Sequence, residues 1–98
     1  MSGTDNLITT RNGTLQLQGV VNFHTVVPIY EEFERLLGPG VNSLDCRGIR
    51  NCDSSAISLL LACRRLAQQR ELDLRIEGMG DQILSLAQLY EVEKLLTD

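Results

Sequence analysis

Tryptophan is absent from this 98-residue chain, and two tyrosines, two phenylalanines and one histidine are its only other ring side chains besides proline. Thirteen acidic residues outweigh nine basic ones, for a net charge of −4. Nucleic-acid binding draws on phosphate neutralisation by Lys and Arg and on aromatic stacking, so this composition argues against it. The three cysteines, Cys46, Cys52 and Cys63, are odd in number and form no Cys-x-x-Cys pair. With a single histidine, His24, no zinc constellation can be assembled, and no metal or cofactor is expected. The thiols read as reduced, small apolar residues in cytosol. The longest apolar run is Leu59 to Cys63, far short of the ~20 residues of a membrane span. Met1 to Asn6 lack the basic and apolar regions of a signal peptide. Neither secretion nor membrane insertion is expected.

Catalytic options are equally thin. A hydrolase triad would have to use His24 as its base. Glu31, Glu32 and Glu34 fall in a helix-like stretch where a solvated face accounts for them. Gly38-Pro39-Gly40 and Gly78-Met79-Gly80 lack the spacing and Lys-Ser/Thr ending of a phosphate loop. The expectation is a chain with no catalytic residues.

What is present is apolar material for one core. Hydrophobic residues make up 43%, and a chain of this size buries roughly 60–65% of its unfolded surface. A single domain over residues 1–98 follows. Leu7 to Thr10 reads as a short extended stretch turned by Asn12-Gly13, a hairpin dipeptide. Leu15, Leu17 and Gly19 then alternate with polar residues at strand period. Thr25 is a candidate helix cap and Pro28 fits a first turn. Val26, Ile29, Tyr30, Phe33, Leu36 and Leu37 recur at helical spacing, and Gly38-Pro39-Gly40 stops them. Val41 to Cys46 reads as a strand, leaving Arg47 and Arg50 as solvated loop charges or, alternatively, partner contacts. Asp53-Ser54-Ser55 opens the strongest helical run, Ala56 to Arg70. Leu72, Leu74 and Ile76 alternate as a further strand. Gln82 to Leu96 is helical with a break near Glu91, and Tyr90 reads as a core aromatic with a wet hydroxyl. The order β-β-α-β-α-β-α implies an α/β fold, a mixed sheet of about four strands flanked by about three helices.

On a helical wheel with 100° per residue, Leu59, Leu60, Ala62, Cys63, Leu66 and Ala67 form one arc of the middle helix, the core side. The opposite arc holds Ser54, Ile57, Ser58, Leu61, Arg64, Arg65 and Gln68. Ile57 and Leu61 stand there among polar neighbours, beyond the Asp53-Ser54-Ser55 triplet. This pattern reads either as two stray apolar residues on an ordinary surface or as a docking surface, an apolar centre rimmed by Arg64, Arg65 and Gln68 beside a hydroxyl. The triplet also carries the favoured cap residues. A phosphate on Ser54 would add about −1.5 to −2 charges at a helix N-terminus, which the helix dipole tolerates and a dry interface does not.

Element order and residues together resemble the STAS domain, the sulfate-transporter and anti-sigma-factor-antagonist family. The resemblance runs through Leu15-x-Leu17-x-Gly19, Phe23-x-Thr25, Leu44-Asp45 with Gly48-Ile49, Asp53-Ser54-Ser55 opening an aliphatic helix, and Leu89 to Val92. It implies function by protein–protein binding. The regulatory serine of anti-sigma antagonists corresponds to Ser54, although Ala56 stands where those antagonists usually carry glycine. Within the family, the chain is similar to the small stand-alone STAS subunits of bacterial Mla phospholipid transporters. That branch implies a cytoplasmic subunit, peripheral at the inner membrane. It would bind the ATPase of an ABC transporter and, through it, a membrane permease that maintains outer-membrane lipid asymmetry. Asp53, Ser54, Ser55, Ile57, Ser58, Leu61, Arg64 and Arg65 are the expected partner-binding residues. The alternative is an anti-sigma factor antagonist whose partner is a serine kinase and whose switch is Ser54.

Overall fold

Asn12 and Gly13 both hold positive φ angles, 51° and 81°, as a two-residue type I′ turn requires. They fold β1 (Ile8–Arg11) back onto β2 (Thr14–Val21), with Arg11 paired to Thr14. The computed structural model describes residues 8–97, so Leu7 lies outside the described residues. A Cβ on Gly13 would stand 2.6 Å from the carbonyl oxygen of Gly40, and its own carbonyl accepts the Asn42 amide. The turn therefore needs glycine for its angle and for the close approach of the loop beyond it.

After the hairpin come α1 (Val26–Leu36), β3 (Ser43–Cys52), α2 (Ser55–Gln69), β4 (Arg75–Glu77), α3 (Asp81–Leu89) and α4 (Glu93–Thr97). The sheet order is β1-β2-β3-β4. The hairpin pair is antiparallel, and β2–β3 and β3–β4 are parallel, each parallel pair joined by a crossover helix as that geometry demands. Leu15, Leu44 and Ile76 stand in register across three strands and are buried with Ile29 and Phe33 of α1 and Leu60 and Cys63 of α2. On the opposite face, Thr9, Gln16, Asp45 and Glu77 form one polar row. The α/β expectation and the element order hold, with the last helix divided in two.

Boundaries differ where local chemistry overrides the pattern. β3 runs to Cys52, not Cys46, pairing with β2 along its length while the register slips twice, between Gln16 and Gln18 and between Gly19 and Val20. Bulges of this kind insert extra residues and erase the period-2 alternation by which strands are recognised. Arg47 is thus a strand residue, not a loop charge, and its guanidinium grips the carboxylate of Asp45 through Nε and Nη2, each 3.0 Å away. That bidentate bond holds the buried Asp45 carboxyl below its ordinary pKa. Arg50 is likewise in the strand, exposed, where the second slip falls. β4 keeps only three residues.

Thr25 occupies the N-cap position of α1 but makes no cap bond. Its hydroxyl donates to the Val20 carbonyl at 3.0 Å and accepts from the Asn22 amide at 2.9 Å, so it ties the turn to the strand it leaves. At the other end of the chain the break near Glu91 is a C-terminal stop for α3. Glu91 takes a φ of 58° and Val92 donates back to the Ala87 carbonyl at 2.9 Å, the bonding of a Schellman motif. Glu71 does the same after α2, with a φ of 57° and a bond from Leu72 to Ala67.

Candidate functional site

β3 delivers the chain directly into α2, and the junction is held by Asp53. Its amide donates to the Val21 carbonyl at 3.2 Å, and its Oδ1 accepts from the Ser55 amide at 2.9 Å and from the Ser55 hydroxyl. The hydroxyl bond, then the amide bond, hold the Asp53 carboxyl below its usual range. The side-chain cap of α2 is therefore Asp53. Ser54, the next residue, is exposed and makes no cap bond, and Ser55 spends its hydroxyl on Asp53.

From Ser54 an exposed crest runs along α2 through Ser58 and Arg65, with Leu61 and Ala62 half-buried on its two shoulders. Each shoulder falls into a groove. Toward α1, Val26, Val27, Tyr30, Leu59 and Ala62 form an apolar trough of about 450 Å³, edged by Glu31 and Glu34. Toward α3 and α4, Ser54, Ile57, Ser58, Leu61, Tyr90 and Val92 bound a space of about 360 Å³. Beyond it Leu61, Arg64, Arg65, Gln68, Lys94 and Leu95 bound another of about 460 Å³. At the head of the crest Phe23 is 68% exposed, its ring 4.1 Å from that of the exposed His24. Val27 is 61% exposed on the first turn of α1.

Three expectations about this surface need correction. Ile57 is only 4% exposed. The wheel allowed for cover from one side, whereas the α3–α4 segment covers a second flank of α2. Arg64 is no free rim charge: its Nη1 and Nη2 donate to the carbonyls of Leu74 and Leu96 at 3.3 and 2.8 Å, clasping α4 to the entry of β4. Tyr90 is 50% exposed at the end of α3 and is not a core aromatic. The structure brings Ser54, Ser58, Leu61 and Arg65 together on or beside the crest. Phe23, Val27, Ala62, Lys94 and Leu95 were not among the expected site residues. Val27 alone carried a legible signal, an apolar residue outside the stripe of its own helix.

No group of His, Cys, Asp and Glu among the described residues is arranged to hold a metal ion. The three thiols are free and buried, and desolvation pushes Cys46 up to about 12 and raises Cys63 as well. They fill the core as apolar residues. Among the described residues, no helix is long and apolar enough to cross a membrane.

The family model described as "Mlab, STAS domain" matches residues 7–97. The chain belongs to the MlaB-type STAS family. Over 79 residues it is 27% identical to the intermembrane phospholipid transport system binding protein MlaB of Escherichia coli and to that of Shigella flexneri, covering 81% of this chain and 80% of each relative. The fold also matches that of the anti-sigma factor antagonist SpoIIAA in its unphosphorylated form, with a TM-score of 0.67 at 15% identity over 89% of this chain and 81% of that one. The crystal structure of Mglu matches with a TM-score of 0.60 at 18% identity, covering 81% of this chain, which spans only 20% of that longer one. The likeness in both cases is one of fold, with SpoIIAA over most of its chain and with Mglu over the matched part alone. In this STAS domain the bulged end of β3 and the cap at Asp53 set the start of α2 at the surface, with Ser54 at its apex.

Proposed function

We propose that this chain is the non-catalytic STAS subunit of a phospholipid transport system, and that the crest of α2 docks on the system's ABC-type ATPase. The observation that carries the reading is the crest itself. In an MlaB-type STAS domain, Ser54, Ser58 and Arg65 stand exposed between two partly apolar grooves, on a helix whose underside is fully committed to the core. Exposed apolar side chains that gather around a polar ridge mark an interaction surface. The exposed Val27 and Phe23, with the half-buried Leu61, supply the apolar area here. Through the ATPase the subunit reaches a membrane permease and sits peripherally at the cytoplasmic side of the inner membrane.

The test is isolation of the tagged chain from its native cells in mild detergent, with its companions identified by mass spectrometry. An ATPase accompanied by a permease is expected, and Ser58→Arg should weaken the association while the variant remains folded. A soluble serine kinase in place of the ATPase would establish the second reading, an anti-sigma antagonist. The observation favouring that reading is the exposed Ser54 hydroxyl directly after the capping aspartate. Phosphoserine at Ser54 after incubation with that kinase and ATP would complete it.

A further inference from the structure

The two sides of the crest differ in charge. The trough toward α1 is edged by Glu31 and Glu34, whereas the groove toward α4 is lined by Arg64, Arg65 and Lys94 with Leu61, Gln68 and Leu95. Among the described residues, no carboxylate lines that second groove, although the whole chain carries a net charge of −4. Three of its ten formal cationic and imidazole groups are gathered around one space of about 460 Å³. Arg64 is fixed there by main-chain carbonyls, and its buried Nε has no hydrogen-bond partner among the described residues. Carbonyl dipoles orient a guanidinium without cancelling its charge, so this cation is held in place before any partner arrives. Leu95, 59% exposed, adds an apolar contact beside the exposed Lys94.

We infer that this groove receives an acidic segment of the protein partner, a stretch carrying Asp or Glu beside an apolar side chain. The inference rests on the docking reading above and adds the chemistry by which that partner is recognised. Charge complementarity selects the occupant: the lining pairs the fixed Arg64 and the exposed Arg65 and Lys94 with an exposed leucine, and the crest residue Arg65 is common to the groove and to the docking surface. A bilayer of anionic lipid is disfavoured, because the net negative charge of the domain is repelled by such a surface.

The experiment measures affinity for the purified ATPase of the native complex. Arg65→Glu with Lys94→Glu reverses two exposed cations and spares Arg64, which holds the fold together. Like charges brought face to face across an interface are costly, so affinity should fall by about tenfold or more. Wild-type binding should also weaken between about 0.1 M and about 1 M salt, as the screening length falls from about 10 Å to about 3 Å. The double variant should lose most of that salt dependence. A photo-crosslinking residue at position 95 should capture a partner peptide containing Asp or Glu. Failure of the wild type to bind the ATPase would overturn the docking reading and this inference with it. Wild-type-like binding by the double variant, with Ser58→Arg still disruptive, would overturn the acidic-segment assignment and leave the docking reading standing. So would capture of a segment without carboxylates, or Arg65- and Lys94-dependent binding to phosphatidylglycerol vesicles in place of the protein.

Discussion

The underside and the crest of α2 belong to one helix and obey opposite rules. Leu60, Cys63 and Ala67 on the underside are no more than 1% exposed and meet the sheet and α1 in a single apolar cluster. Ser54, Ser58 and Arg65 on the crest are exposed and lie outside that cluster. Close-packed interiors lose free energy when a methylene is deleted, whereas open surfaces tolerate replacement. The comparison separates residues that make the domain from residues that give it a partner, and it can be broken experimentally from either side.

The largest effect is expected beneath the helix. Leu60 is completely buried, and Leu60→Ala should cost about 2–5 kcal/mol, through lost transfer energy plus the cavity left behind. Since a domain of this size is stable by about 5–15 kcal/mol, urea unfolding should show a large drop, and partner binding should fail with the fold. A cost below about 1 kcal/mol would show that the underside is not packed as described.

Ser58→Arg on the crest should do the reverse. Its unfolding free energy should stay within about 0.5 kcal/mol of wild type, as for ordinary surface changes. Affinity for the ATPase should nevertheless fall by about tenfold or more, because a buried guanidinium without a partner is strongly disfavoured in an interface. Unchanged affinity would move the interface off α2.

This division was only half legible in the sequence. Leu59, Leu60, Cys63, Leu66 and Ala67 fell on the core arc because helical periodicity records which residues face the sheet. Ile57 did not, because its cover comes from the α3–α4 segment, and a wheel drawn for one helix holds no information about a neighbour some thirty residues later. The same limit hid the exposure of Tyr90 and the clasp made by Arg64, whose acceptors are the carbonyls of Leu74 and Leu96. β3 was cut short for a different reason. Two register slips break its alternation, and a pattern argument has only alternation to follow. The turn at Asn12-Gly13 and the stop near Glu91 were legible because a few adjacent residues determine them.

Glu91 sharpens the comparison from the flank that covers Ile57. A left-handed conformation costs an L-residue roughly 1–2 kcal/mol, and Glu91 bears it at a φ of 58°. Glu91→Gly relieves that cost, offset in part by the greater freedom of glycine in the unfolded chain. A net gain of about 0.5–1 kcal/mol in unfolding free energy is expected. Affinity for the partner should be unchanged, since the turn geometry that places Tyr90 and Val92 is retained. Destabilisation instead would mean that the Glu91 side chain contributes more than its backbone costs.

The smallest effect should appear at the head of the crest, and it depends on pH. Asp53 is held below its ordinary pKa by the Ser55 hydroxyl and amide. A depressed folded pKa stabilises the fold above the unfolded value, about 3.9 for aspartate, and that contribution is lost as pH falls through the folded value. Acidification below about pH 4 should therefore fray the first turn of α2 while the underside stays closed. Hydrogen exchange, corrected for intrinsic rates, should show the amides of Ser55 to Ile57 losing protection ahead of those of Leu60 to Cys63. Asp53→Ala should fray the same turn at neutral pH and remove the acid step there. An acid step that survives in Asp53→Ala would assign it to Asp45, whose carboxyl is also held low, by Arg47. The pH-sensitive element would then be the bulged strand that carries the crest, not the cap that begins it.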